Sequence, residues 1–120
     1  MTKKSKQYRW QVMNEIKQYK MSNPIKSKEL QLKFGLRGVH IREIVHYLRT
    51  EEHLPICSDS SGYFYARNKY EAQHTIAQLR SRIRQINEAV LGIEKAEYEP
   101  EQDNQQTFGF QIKRNYEYPD

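Results

Sequence analysis

The residues best suited to chemistry in this chain lie between positions 26 and 61, and the chemistry they suggest is polyanion recognition. Arg37, Val39, Arg42, Glu43 and His46 are spaced to share one face of a helix, with His40 and Arg49 at its edges. On such a face an arginine matches the O6 and N7 acceptors of guanine, a glutamate accepts from cytosine N4, and valine methyls touch the thymine methyl. Arg42 is the leading candidate for guanine, Glu43 for cytosine and Val39 for thymine. Upstream, Lys26, Ser27 and Lys28 stand where a short helix should begin, and backbone N–H groups at a positive helix end hold phosphate. Ser60 and Ser61, at the tip of an expected hairpin, offer hydroxyls to the phosphate backbone or minor groove, without the Arg or Lys usual there. Lys3, Lys4 and Lys6 form a basic arm that adds charge without sequence information. The plain alternative is a solvated helix face, with Ser27 only capping its own helix.

Other chemistries find no constellation. Cys57 is the sole cysteine, which rules out an intramolecular disulfide, and its Pro-Ile-Cys-Ser setting supplies no neighbouring base, so it reads as a small buried hydrophobe. His53 and Cys57 lie four apart, but two ligands do not make a zinc site. His40, His46 and His74 are scattered, and the chain has no Gly-rich phosphate loop, no His-Glu-x-x-His and no Gly-x-Ser-x-Gly. The expectation is a non-enzyme with no catalytic residue, metal, cofactor or small-molecule substrate. The Met-Thr-Lys-Lys-Ser-Lys start shows no signal peptide and no apolar run is long enough to span a bilayer, so a cytoplasmic protein is expected.

Several elements must position these residues. Val12, Met13, Ile16 and Tyr19 give a helix over 7–21, ended by Ser22-Asn23-Pro24. Ile25-Lys26-Ser27 is a short extended step, and Ser27 is the expected N-cap of a helix over 28–34 with Leu30 and Phe34 inward. Gly35-Leu36-Arg37-Gly38 is a tight turn. Ile41, Ile44, Val45 and Leu48 form the core stripe of a third helix over 38–51. Residues 54–58 and 63–66 read as strands around the turn Asp59-Ser60-Ser61-Gly62, with Tyr63, Phe64 and Tyr65 packing the hairpin on the core. Asn68-Lys69-Tyr70-Glu71 forms a capping box that opens the longest helix. Ile76, Leu79, Ile83, Ile86, Val90 and Ile93 make a heptad seam on it, with Ile76, Ile83 and Val90 at a and Leu79, Ile86 and Ile93 at d. The seam either folds back on its own domain or pairs with another copy, and its length favours pairing. Ile86 and Ile93 at d leave states above the dimer open.

This order of helix, short strand, helix, turn, helix and hairpin predicts a mainly α fold with a small β-hairpin. It is a winged helix-turn-helix domain over 1–67, followed by a long oligomerisation helix over 68–97 and an acidic, disordered tail over 98–120. Residues 38–49, Pro55-Ile56-Cys57-Ser58 and Gly62-Tyr63-Phe64-Tyr65-Ala66 resemble phage- and prophage-encoded winged helix-turn-helix proteins that carry a C-terminal coiled-coil helix. The resemblance covers about 25–96. It departs at Thr50-Glu51-Glu52-His53, where a glycine often precedes the wing strand. It implies an early or replication-region protein of a bacterial host, associated with the nucleoid.

Charge agrees in sign. Residues 1–49 hold twelve Lys and Arg against Glu15, Glu29 and Glu43, a net of +9, while residues 97–120 hold two against six acids, a net of −4. A mean hydropathy of −1.01 leaves only a thin core, which makes an oligomer interface a natural second source of stability. The function expected is sequence-selective binding of double-stranded DNA by a homodimer or higher oligomer, as a regulator or replication factor. The competing expectation is a protein-interaction adaptor or inhibitor. Its winged helix and aromatic acidic tail (Tyr98, Phe108, Phe110, Tyr116, Tyr118) would bind a host or replication protein.

Overall fold

Helix α3 (Gly38–Thr50) organises the fold. Its stripe of Ile41, Ile44, Val45 and Leu48 is buried as the spacing predicts, against Val12 and Ile16 of α1 (Lys3–Ile16) and Leu30 of α2 (Ser27–Phe34). Ile25, Leu36 and Ile56 complete this core. The computed structural model describes residues 1–100. Beyond α3 lie β1 (Ile56–Asp59), β2 (Gly62–Tyr65) and α4 (Lys69–Glu94), so the protein is mainly helical with a two-stranded antiparallel hairpin and a long C-terminal helix. Most of the tail expected over 98–120 lies outside the described residues.

Several element ends differ from expectation. Helix α1 begins at Lys3 rather than 7, because Thr2 caps it by accepting from the Ser5 N–H at 3.2 Å. It ends at Ile16, where Gln18 and Tyr19 donate to carbonyls only three residues back, well before the Ser-Asn-Pro stop. Ser27 is not the N-cap of α2. Lys26 holds that position without a side-chain bond, and the Ser27 hydroxyl instead accepts from Gln31 Nε2 at 3.1 Å. Gly35 closes α2 in the left-handed region, with φ 63°. The strands start at 56 and 62 rather than 54 and 63. His53 takes the left-handed turn that a glycine would ease, with φ 54°, and the Leu54 N–H then donates back to the Leu48 carbonyl.

The register pairs Ile56 with Tyr65, Cys57 with Phe64, Ser58 with Tyr63 and Asp59 with Gly62, leaving Ser60 and Ser61 as the tip. Asp59 steadies the tip by accepting the Ser61 N–H at 2.7 Å. On the outer side of β2, Ile25 and Tyr63 exchange two backbone hydrogen bonds, both 2.8 Å, and the Tyr65 N–H donates to the Tyr19 carbonyl. On the outer side of β1, Thr75 Oγ1 bonds both backbone groups of Ser58, while Arg49 Nε donates to the Ile56 carbonyl at 2.7 Å.

Helix α4 opens on Asn68, whose side chain accepts the Glu71 N–H at 2.9 Å. The return half of the expected capping box is displaced by one residue. Glu71 accepts from the backbone and guanidinium of Arg67, not from Asn68, and the Arg67 backbone bond holds its carboxyl below the usual glutamate range. Ala72 packs on Cys57, Phe64 and Ala66.

Gly62 makes the close approach of Ile25 possible. A Cβ there would stand 2.3 Å from the Ile25 carbonyl oxygen, and its φ of +139° is one that other residues rarely adopt. Gly62→Ala is therefore expected to destabilise the fold by about 2–4 kcal/mol, read as a lower urea midpoint with an unchanged slope.

Candidate nucleic-acid interface

The outward face of α3 carries Val39, Arg42 and His46, all exposed, at spacings of three and four, with exposed Arg37 at the N-cap position. The Arg42 guanidinium reaches back to the start of the helix, with Nη1 3.3 Å from where a Gly38 Cβ would sit and Gln31 Nε2 beside it. A Cβ at 38 would need only a small shift of the flexible Arg42 tip.

Two members of the expected face are turned to other tasks. His40 is buried, and its Nδ1 accepts the Arg37 N–H at 3.0 Å, closing the first turn of α3. It does not present its ring to solvent with Arg42 and His46. Glu43 accepts through Oε1 from the Ser5 hydroxyl at 2.7 Å, the Thr2 hydroxyl at 3.1 Å and the Thr2 N–H at 3.3 Å. The Ser5 bond, the strongest cause, holds its carboxyl below the usual glutamate range. Rather than offering itself to a cytosine, Glu43 pins the start of α1 against α3.

That tie changes the role of the lysines beside it. Lys3, Lys4 and Lys6 are not a free arm but exposed residues in the first turns of α1, next to the residues that Glu43 holds. Among the three acids of residues 1–49, Glu15 is also taken, by Lys33 at 2.7 Å.

The hairpin tip and the start of α2 come together around an open cleft of about 410 Å³ lined by Lys26, Ser27, Asp59, Ser60, Ser61 and Tyr63. Two elements separated in sequence thus meet at residues expected to contact phosphate. Lys28 is exposed in the first turn of α2. The Asp59 carboxylate within the cleft is partly spent on the Ser61 N–H.

Sequence reasoning missed three features. The Thr-x-x-Ser start at Thr2 is a capping signal that would have moved α1 forward. Arg49 is drawn off the α3 face to β1, where it also reaches Ser58 Oγ at 3.4 Å. Arg9 lies over both Trp10 and Tyr47, 5.0 Å from each ring, and the Tyr47 hydroxyl donates to Glu52 at 2.9 Å. Cys57 is buried in β1, and burial pushes its thiol up. Among the described residues no group of three or more His, Cys, Asp or Glu is placed to hold a metal, and no described helix is long and apolar enough to cross a membrane. No protein-family model, curated protein or solved structure matches the chain.

Glu43→Ala is expected to lower stability by about 1 kcal/mol at neutral pH, the scale of charge-assisted hydrogen bonds discounted for solvent. Because the folded-state pKa of Glu43 is depressed, its contribution is complete above the unfolded-state value, near pH 4. It is lost as pH falls through the folded value. Urea midpoints of the two proteins should therefore differ at pH 7 and converge in acid.

Proposed function

We propose that the chain is a winged helix-turn-helix protein that binds double-stranded DNA, with α3 in the major groove and the hairpin as the wing. The observation that carries this reading is the withdrawal of Glu43 to Ser5 and Thr2. It leaves an outward face of Arg37, Val39, Arg42 and His46 flanked by exposed lysines. An acid in the middle of that face would oppose phosphate, and hydrogen bonds from its own chain hold it aside.

Within this reading the roles divide by chemistry. Arg42 and Val39 lie within the first turn and a half of the recognition helix, the part that reaches base edges in helix-turn-helix docking. Lys26, Ser27 and Lys28 at the start of α2 position the duplex through its backbone, and Lys3, Lys4 and Lys6 extend the positive surface. Ser60 and Ser61 add hydroxyls at the wing tip. Reading a cytosine through Glu43 or a base through His40 forms no part of the proposal.

Fluorescence anisotropy on random-sequence duplex, titrated with salt, tests it. Binding should weaken steeply, with log K falling by about 0.9 per phosphate contact for each decade of salt. Lys28→Ala should shallow that slope by about one contact. Arg42→Ala should cost about 1–3 kcal/mol on a selected site and relax preference at one base pair. Absence of binding at low salt would overturn the reading in favour of protein docking.

A further inference from the structure

The outer side of α4 carries a separate feature. Ile76, Leu79, Ile83, Ile86, Val90 and Ile93 lie along one helix at heptad spacing, and each is at least 36% exposed. The first turns of α4 dock on the hairpin through Ala72 and Thr75, neither of which belongs to this seam. No described residue buries the seam, and six branched aliphatics left in water are a strong drive to associate.

We infer that the seam pairs with the same seam of a second copy of the chain, with the two helices antiparallel. The pairing stands apart from DNA binding and needs none of its residues.

Three observations select a second copy and this direction. The first is the order of the core residues. With the two-fold axis between positions 84 and 85, Ile76 meets the partner's Ile93, Leu79 meets the partner's Val90 and Ile83 meets the partner's Ile86. Each layer occurs twice, every a residue faces a d residue, and no apolar position is left over. The second is side-chain shape. In parallel assemblies a dimer wants leucine at d, and Ile86 and Ile93 there would favour three or four strands instead, so a two-stranded assembly of this seam points away from the parallel arrangement.

The third is charge. Arg80, Arg82 and Arg84 lie in the first half of the seam, with Glu88 and Glu94 in the second. A parallel pair would gather the arginines of both chains at one end. An antiparallel pair sets Arg80 beside the partner's Glu94, twice, and also opposes the helix dipoles. One like-charge approach remains, Arg82 to the partner's Arg82 near the axis, where both long side chains can extend into solvent.

Sedimentation equilibrium of the full chain without DNA, followed by cysteine cross-linking, tests the inference. The expected mass is twice 14.5 kDa. Ile83→Lys combined with Ile86→Lys should weaken association about a hundredfold or more. Both side chains are exposed in the single chain, so its circular dichroism should be unchanged. When Ile76→Cys and Ile93→Cys proteins are mixed and oxidised, peptide mass spectrometry should find the 76–93 link. Like pairs alone, 76–76 and 93–93, would overturn the direction. A monomer at every concentration, or a trimer or tetramer, would overturn the pairing. Association that emerges only after deletion of residues 101–120 would overturn it in favour of the tail as the native occupant.

Discussion

A two-stranded hairpin is marginal in water, and here each outer side of it is held by another part of the chain. Tyr63 is paired by Ile25, Tyr65 by the Tyr19 carbonyl, Ser58 by Thr75 and the Ile56 carbonyl by Arg49. These partners come from the segments before α2, after α1, in α4 and in α3. Satisfying the hairpin's backbone therefore fixes where most elements of the domain stand. The cleft beside Lys26 exists because the Ile25 pairing brings the start of α2 to the hairpin tip, and glycine at 62 is what permits that distance.

The same economy governs charge. A count of +9 over residues 1–49 says nothing about where the charge lies. Lys33 is matched by Glu15 and Arg49 is spent on β1, so neither adds to a free positive surface. Glu43 stays ionised, but two hydroxyls and a backbone N–H turn its carboxylate toward the start of α1. Arg9 and Lys17 lie over aromatic rings, while Lys3, Lys4 and Lys6, Lys26 and Lys28, and Arg37 lie at the starts of α1, α2 and α3. Those are also the ends where unpaired backbone N–H groups add positive potential.

What could be read from sequence was what local pattern encodes. The α3 stripe, the Gly35 stop, the hairpin turn and the Asn68 cap each depend on residues within a few positions of one another. What could not be read depends on distant partners. Glu43 and Ser5 are 38 residues apart, so nothing near Glu43 signals that its carboxylate is committed. Ser27 looks like an N-cap, but the Ile25–Tyr63 pairing sets where α2 begins. His40 sits at the edge of a polar face by spacing, and its burial follows from how the first turn of α3 closes on Arg37. His53 shows the converse: the glycine missing before the hairpin does not mean that the turn is missing, since histidine is among the residues that tolerate the left-handed region.

Helix α4 joins these two kinds of information. Thr75 lies at the position just before the seam, on the flank where the hairpin docks, so any partner helix must pass close to β1 on that side. In an antiparallel pair the stretch that passes there is the partner's second half, which presents Ala89 and Gly92 on the facing flank; a Cβ added at Gly92 meets nothing of its own chain. Small residues at those positions leave room for the hairpin. The docking that satisfies Ser58 is thus compatible with the antiparallel pairing inferred from the seam.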